Sequence, residues 1–82
     1  MKIDIRYFAS VREALGSGES VETQAATLAD LRDELIARGG PHASALARGK
    51  AVRMALDQVM RRESAALHDG SEVAFFPPVT GG

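Results

Sequence analysis

A chain of 82 residues with 45% hydrophobic and 26% charged residues has the length and composition of one globular domain with a modest core. The net charge of −1 provides no general attraction to nucleic acid, and no apolar stretch approaches the roughly 20 residues that span a bilayer. The absence of cysteine excludes disulfides and thiolate nucleophiles, and a charged N-terminal segment unlike a signal peptide predicts a cytoplasmic protein.

The chain begins with a predicted half-buried strand at residues 2–8. Every second residue in its first six positions is apolar: Ile3, Ile5 and Tyr7. A short helix is expected next, with Ser10 as its N-cap and Glu13 reaching back in a capping box. The glycines in residues 16–18 end that helix, and residues 19–23 are predicted to form a second strand.

The main helix is predicted to begin at Thr27, with Asp30 three residues later as a capping-box variant. Its apolar face has helical spacing and consists of Leu28, Leu31 and Leu35, widened by Ile36. Three charged residues are expected to face water: Arg32, Asp33 and Arg38. The pair Gly39-Gly40 is expected to provide the C-cap, and Pro41 prevents continuation. Residues 43–48 are expected to add one more helical turn.

The second half of the chain predicts three further strands. Residues 52–56 alternate, and the turn at residues 57–58 leads into residues 59–60. A turn at residues 68–70 precedes the final strand, residues 72–76. This order of elements predicts an α+β protein, a mixed sheet with one main helix packed across it.

The chain then ends in an unusual tail, so we divide it into a domain at residues 1–76 and an extended tail at residues 77–82. Pro77 and Pro78 cannot donate to a sheet, and they hold the chain near polyproline geometry. Gly81 and Gly82 have no Cβ and fit a slot too narrow for other residues. Six residues reach about 20 Å, enough to enter another protein's active site.

No internal active site is predicted. His42 and His68 are expected to be solvated loop histidines, because neither has a partner at a metal-ligand spacing. Strand alternation places Arg6 and Arg53 outward, on a candidate docking surface. Phe75 and Phe76 point to opposite sides of one strand, so either one ring is an exposed interface anchor or both are core residues.

The sequence resembles the MoaD family, the small subunits of molybdopterin synthase. The similarity lies in the tail, residues 75–82 (FFPPVTGG), and extends to residues 5–13 (IRYFASVRE) and 69–74 (DGSEVA). The length and the order of the elements agree over the whole chain. The resemblance implies a ubiquitin-like sulfur carrier with a β-grasp fold.

The family chemistry implies that an E1-like enzyme uses ATP to adenylate Gly82 and that a sulfurtransferase system then converts it to a thiocarboxylate. The tail inserts into the large synthase subunit, and sulfur passes to cyclic pyranopterin monophosphate to form the dithiolene of molybdopterin. The chain is then a non-catalytic subunit of a heterotetramer, with no permanently bound cofactor or metal. The residues expected to bind partners are Gly81, Thr80, Val79, Pro78, Pro77 and Phe75.

Three alternatives stay open at this point. In the first alternative, the chain is a sulfur carrier for another pathway, such as thiazole or amino-acid synthesis. In the second, it is a protein modifier that joins Gly82 to lysines of targets. The third alternative is a binding module with an inert tail. The residues that precede the diglycine favour the pterin pathway, because they match that subfamily's tail.

Overall fold

The computed structural model describes residues 1–78; residues 79–82 lie outside the described part. The described residues form five strands and three helices in the following order: β1 (Lys2–Tyr7), α1 (Ala9–Leu15), β2 (Gly18–Glu22), α2 (Leu28–Ile36), α3 (Gly40–Leu46), β3 (Arg53–Leu56), β4 (Val59–Met60) and β5 (Glu72–Phe76). No helix among residues 1–78 combines the length and the apolarity needed to cross a membrane.

The five strands form one mixed sheet in the order β2-β1-β5-β3-β4, which confirms the predicted α+β class. The first and last strands, β1 and β5, pair in parallel with Tyr7 opposite Phe75, and the other neighbouring strands are antiparallel. The C-terminal strand therefore lies in the middle of the sheet, hydrogen-bonded on both sides. Both predicted turns are confirmed: Asp57 and Gln58 have φ of 50° and 70°, as a tight hairpin requires, and Gly70 has φ of 85°.

One face of the sheet and the apolar side of α2 enclose the core. The predicted inward residues of β1 and the three leucines of α2 are all 2% exposed or less: Ile3, Ile5, Tyr7, Leu28, Leu31 and Leu35. Leu46 of α3 and Val73 of β5 join them, each fully buried. Because the intervening residues of β1 are exposed, the strand is buried on one face only, as its two-residue period predicted.

The start of α1 differs from the prediction. Its N-cap is Phe8, which has no side-chain capping bond, and the Arg12 N–H donates to the Phe8 carbonyl oxygen at 3.2 Å. The Phe8 N–H meanwhile donates to Phe75 O at 3.1 Å, so the chain turns into the helix directly at the end of β1. The capping box on Ser10 is therefore wrong, because the helix has already begun at Ala9. Gly16 ends α1 as predicted, with φ of 93°.

The start of α2 is as predicted, but its end and the next helix are not. The Thr27 hydroxyl accepts a hydrogen bond from the Asp30 N–H at 3.2 Å. The C-cap of α2 is Ala37 rather than the Gly39-Gly40 pair. Gly39 is instead the N-cap of α3, and Pro41 lies in its first turn, where its missing N–H is not needed. The single turn expected near residues 43–48 is a full helix that begins earlier.

Arg32 does not face water, contrary to the prediction. It is 4% exposed, and its Nε donates to Leu46 O at 2.8 Å while Nη2 donates to Ala47 O at the same distance. Its Nη1 donates to Glu63 Oε1 at 2.9 Å. The long side chain thus reaches past the leucine face and binds the carbonyls that end α3. Arg32 thereby joins α2, α3 and the segment that carries Glu63.

A second polar network joins the sheet to the end of α2 and the start of α3. The Tyr7 hydroxyl donates to Glu19 Oε2 at 2.9 Å, and Arg38 donates to Glu19 Oε1 at 2.7 Å. His42 Nε2 lies 3.4 Å from Glu19 Oε2, so His42 is a half-buried helix residue rather than a solvated loop residue. Burial, followed by the Glu19 hydrogen bond, raises the pKa of Tyr7. Burial alone would raise the pKa of Glu19, but its hydrogen bonds from Arg38, Tyr7 and His42 outweigh this and lower it.

We expect Arg32→Ala to lower the free energy of unfolding by about 2–4 kcal/mol, because it leaves buried carbonyls and Glu63 without their donor. Urea unfolding measures this loss. The matched control is Arg12→Ala on the exposed side of α1, with an expected change within about 0.5 kcal/mol. Equal effects of the two substitutions would contradict the role of Arg32.

We expect Glu19→Gln to lower Tm at pH 7 by about 5 °C, corresponding to about 1 kcal/mol in a domain of this size. A lowered pKa means that the ionised Glu19 stabilises the fold above its unfolded-state pKa of about 4.3. This contribution is lost as the pH falls through the lower folded-state pKa. Tm measured from pH 7 to pH 2.5 should therefore show the wild-type advantage shrinking in acid, whereas a constant difference would contradict this account.

Candidate functional site

The site begins where the central strand ends. Phe76, the last residue of β5, lies opposite Arg53 of β3, and Pro77 ends the ladder because proline has no N–H to donate. Pro77 and Pro78 are half-buried. The tail thus leaves from the middle of the sheet, and its first two residues lie against the domain. The predicted roles of Val79, Thr80, Gly81 and Gly82 fall on residues outside the described part and stay predictions.

The two neighbouring phenylalanines have opposite environments. Phe75 is 0% exposed, and its ring stacks on that of Tyr7 with centroids 6.1 Å apart and an interplanar angle of 28°. Phe76 points to the other side of β5 and is half-buried. The prediction that Phe75 is a partner-binding anchor is therefore corrected, because a ring inside the core has no surface to offer. Phe76 is the more exposed ring of the pair.

The face of the sheet opposite the core carries an apolar surface beside the tail. Ala74 lies in register between Arg6 of β1 and Ala55 of β3, and Ala55 lies opposite Met60. Met60 is 59% exposed and Phe8 is 47% exposed. We call this surface the outer patch and define it by five residues: Phe8, Ala55, Met60, Ala74 and Phe76.

Phe8 belongs to the outer patch because its backbone stays extended, with φ of −130° and ψ of 157°, so the alternation of β1 continues through it. Sequence reasoning missed Phe8 and Met60. The alternation in residues 2–8 already placed Phe8 outward, but only the arrangement of the helices shows that no helix of residues 1–78 covers that face. Met60 is the second residue after a tight turn. Its pairing with Ala55 determines which face of the sheet its side chain lies on.

Two arginines flank the outer patch. Arg6 and Arg53 are exposed on either side of β5, as predicted, and Arg6 Nε lies 3.9 Å from Glu72 Oε2. The patch is therefore an apolar surface with a polar rim, the arrangement found at protein–protein interfaces.

A groove lies on the other side of the tail root. It has a volume of about 250 Å³ and is lined by residues of α1 and α3, with Lys50, Val52 and Pro77 at its end. His42 is held in the Glu19 network, and His68 is exposed as predicted, 3.9 Å from an Asp57 oxygen. Within residues 1–78, no group of three histidine or acidic side chains is placed to hold a metal ion.

Known proteins match the chain over nearly its whole length. The ThiS family profile matches residues 5–82. The molybdopterin synthase sulfur carrier subunit of Escherichia coli K12 is 41% identical over 81 residues, and that of Haemophilus influenzae is 37% identical over 81 residues. Each alignment covers 98% of this chain and 99% of the relative.

Solved structures agree with these relatives. A putative molybdopterin converting factor subunit 1 from Pyrococcus furiosus is 28% identical with a TM-score of 0.78, covering 96% of this chain and 99% of that one. SAMP1 from Haloferax volcanii is 25% identical with a TM-score of 0.78, covering 100% of both chains. The fold is the ubiquitin-like β-grasp, as predicted. Because the family profile and the relatives match from end to end, the chain belongs to the ThiS family.

Proposed function

We propose that the chain is the sulfur carrier subunit of a molybdopterin synthase. The sulfur is carried on the C-terminal carbonyl carbon of Gly82. The observation that carries the proposal is the position of the tail root. The tail leaves from the central strand beside an uncovered apolar patch. The names of the two relatives in Escherichia coli and Haemophilus influenzae support the same function.

The proposed chemistry follows from the properties of a carboxylate. A terminal carboxyl has an unperturbed pKa of about 3.3–3.7, so it is ionised at neutral pH and is a poor electrophile. ATP converts it to an acyl-adenylate with release of pyrophosphate, and attack by a sulfur donor on the carbonyl expels AMP. An E1-like enzyme and a sulfurtransferase system supply these two steps. The resulting thiocarboxylate donates sulfur to cyclic pyranopterin monophosphate in the large subunit.

The body of the domain has a docking role in this proposal. The word subunit in the relatives' names supports a partner chain, here the large subunit of the synthase in a heterotetramer. The outer patch supplies exposed apolar side chains on both sides of β5, and burying the exposed half of each large one contributes about 1 kcal/mol. Docking at this patch holds the root of the tail at a fixed distance from the partner's active site.

A second candidate is a ubiquitin-like protein modifier. The structural neighbour SAMP1 favours this candidate. The full name of SAMP1, small archaeal modifier protein 1, is given with other solved structures. A modifier uses the same activated carbonyl but transfers it to a lysine amine of a target. Isopeptide conjugates of Gly82 in cells would favour the modifier, whereas sulfur transfer to the pterin with the large subunit favours the carrier.

We expect Gly81→Ala, and separately one residue added after Gly82, to abolish adenylation while leaving Tm unchanged. The physical reason is that a diglycine end threads a channel that has no room for a Cβ. ATP–pyrophosphate exchange with the activating enzyme measures the step. Gly49→Ala is the matched control, because a Cβ at Gly49 meets no atom within 4 Å. Adenylation of the Gly81→Ala protein at the wild-type rate would contradict the proposal.

We expect Phe75→Ala to lower the free energy of unfolding by about 3–5 kcal/mol, because it empties a fully buried site. Phe76→Ala should cost far less stability but weaken binding to the large subunit at least tenfold, by about 1.4 kcal/mol or more. Chemical unfolding and calorimetric titration of both variants measure the two effects. Normal partner binding by a folded Phe76→Ala protein would show that the outer patch is not part of the docking surface.

A further inference from the structure

Met60 occupies the most exposed position of the outer patch. It lies on the edge strand β4, in register with Ala55, and is 59% exposed. Its thioether is the largest apolar group at that side of the patch, because Ala55 and Ala74 beside it are small. An unbranched thioether adapts its shape to a partner surface, which suits methionine to such a position.

The chain has no cysteine and three methionines, so its side-chain sulfur atoms are all thioethers. Their exposures differ widely: Met54 is 4% exposed, Met1 is 37% exposed and Met60 is 59% exposed. Met54 lies inside the core, and Met1 lies at the opposite end of β1 from Phe8, away from the patch. Oxidation of a thioether follows its accessibility, so Met60 is the methionine that is both accessible and placed on the patch.

We propose that Met60 is a site of covalent modification, in which a peroxide oxidises its thioether to the sulfoxide and thereby weakens docking through the outer patch. The sulfur lone pair attacks one peroxide oxygen, the S–O bond forms and the O–O bond breaks. With hydrogen peroxide the departing hydroxide takes the proton from the oxygen now bonded to sulfur and leaves as water. The sulfur loses two electrons and the peroxide gains them. The inference rests on the proposed function, since it takes the patch to be the docking surface for the large subunit.

The effect on docking follows from polarity. The sulfoxide carries a strongly polar S=O group in place of an apolar thioether. Burying that group against an apolar partner without a donor is unfavourable. We therefore expect the dissociation constant to rise about tenfold, which corresponds to about 1.4 kcal/mol.

The carrier is open to this modification only between dockings. Each molecule must leave the synthase to be recharged, and the patch is then exposed. Docking covers Met60, so the large subunit protects it. Met1, outside the patch, gains no such protection.

The test uses the full-length, unthiolated carrier and the purified large subunit, with hydrogen peroxide as the probe. Peptide mass mapping follows the gain of about 16 Da at each methionine. We expect Met60 to react much faster than Met54, and to be protected by the large subunit while Met1 is not. Calorimetric titration should show the dissociation constant rising about tenfold after oxidation and recovering after methionine sulfoxide reductase treatment.

Three variants separate the possible outcomes. Met60→Leu is compared with its own untreated sample, and peroxide should leave its dissociation constant unchanged. Met54→Leu, a volume-conserving change at a buried position outside the patch, should respond to peroxide as the wild type does. If carrier with fully oxidised Met60 binds unchanged while Met60→Asp binds weakly, the modification proposal is overturned and the docking surface stands. If oxidised carrier and Met60→Asp both bind unchanged, the docking surface is overturned with it.

Discussion

The parallel pairing of β1 with β5 is the constraint on which the rest of the structure depends. It places the last strand of the chain at the centre of the sheet, bonded to β1 on one side and β3 on the other. The stacked rings of Tyr7 and Phe75 reinforce this pairing inside the core. A tail that starts from an edge strand could fray, whereas this one starts from the best-supported strand in the domain. The position of the tail root is therefore set by the core.

One-sided burial of the sheet produces the second functional feature. Helices and core cover the inner face, and the outer face next to the tail root stays open. Two adjacent residues consequently have different environments: Phe75 lies in the core and stabilises the fold, and Phe76 lies on the outer face. The small side chains of Ala55 and Ala74 keep the outer patch shallow between its larger members. A partner that takes the tail thus meets an apolar surface at the point where the tail begins.

Local patterns predicted most of the fold. The alternation in β1, the leucine spacing and Thr27 cap of α2, and both turns depend on residues close in sequence, and each was found as predicted. The incorrect predictions concern side chains whose burial depends on contacts with residues distant in sequence. Arg32 is buried because its partners lie 14 to 31 positions away, and His42 is half-buried because α3 brings it to Glu19, 23 positions away. A periodic pattern of apolar residues does not predict contacts between such distant residues.

The same distinction applies to the candidate site. The diglycine tail and its prolines are a contiguous motif, so the sequence alone identified them. The outer patch combines residues of β1, β3, β4 and β5, and its exposure depends on which face the helices cover. Strand alternation showed that Phe75 and Phe76 point to opposite sides, but it could not decide which side was the core.

In the proposed function, the domain presents the carbonyl carbon of Gly82 as its reactive atom. The most direct measurement is the intact mass of the protein isolated from cells that lack the large subunit, where we expect charged carrier to accumulate. The account predicts a gain of about 16 Da, oxygen replaced by sulfur, located in the C-terminal fragment that contains Gly82 and lost when the activating enzyme is deleted. An unchanged mass in every molecule, or a gain located elsewhere in the chain, would contradict it.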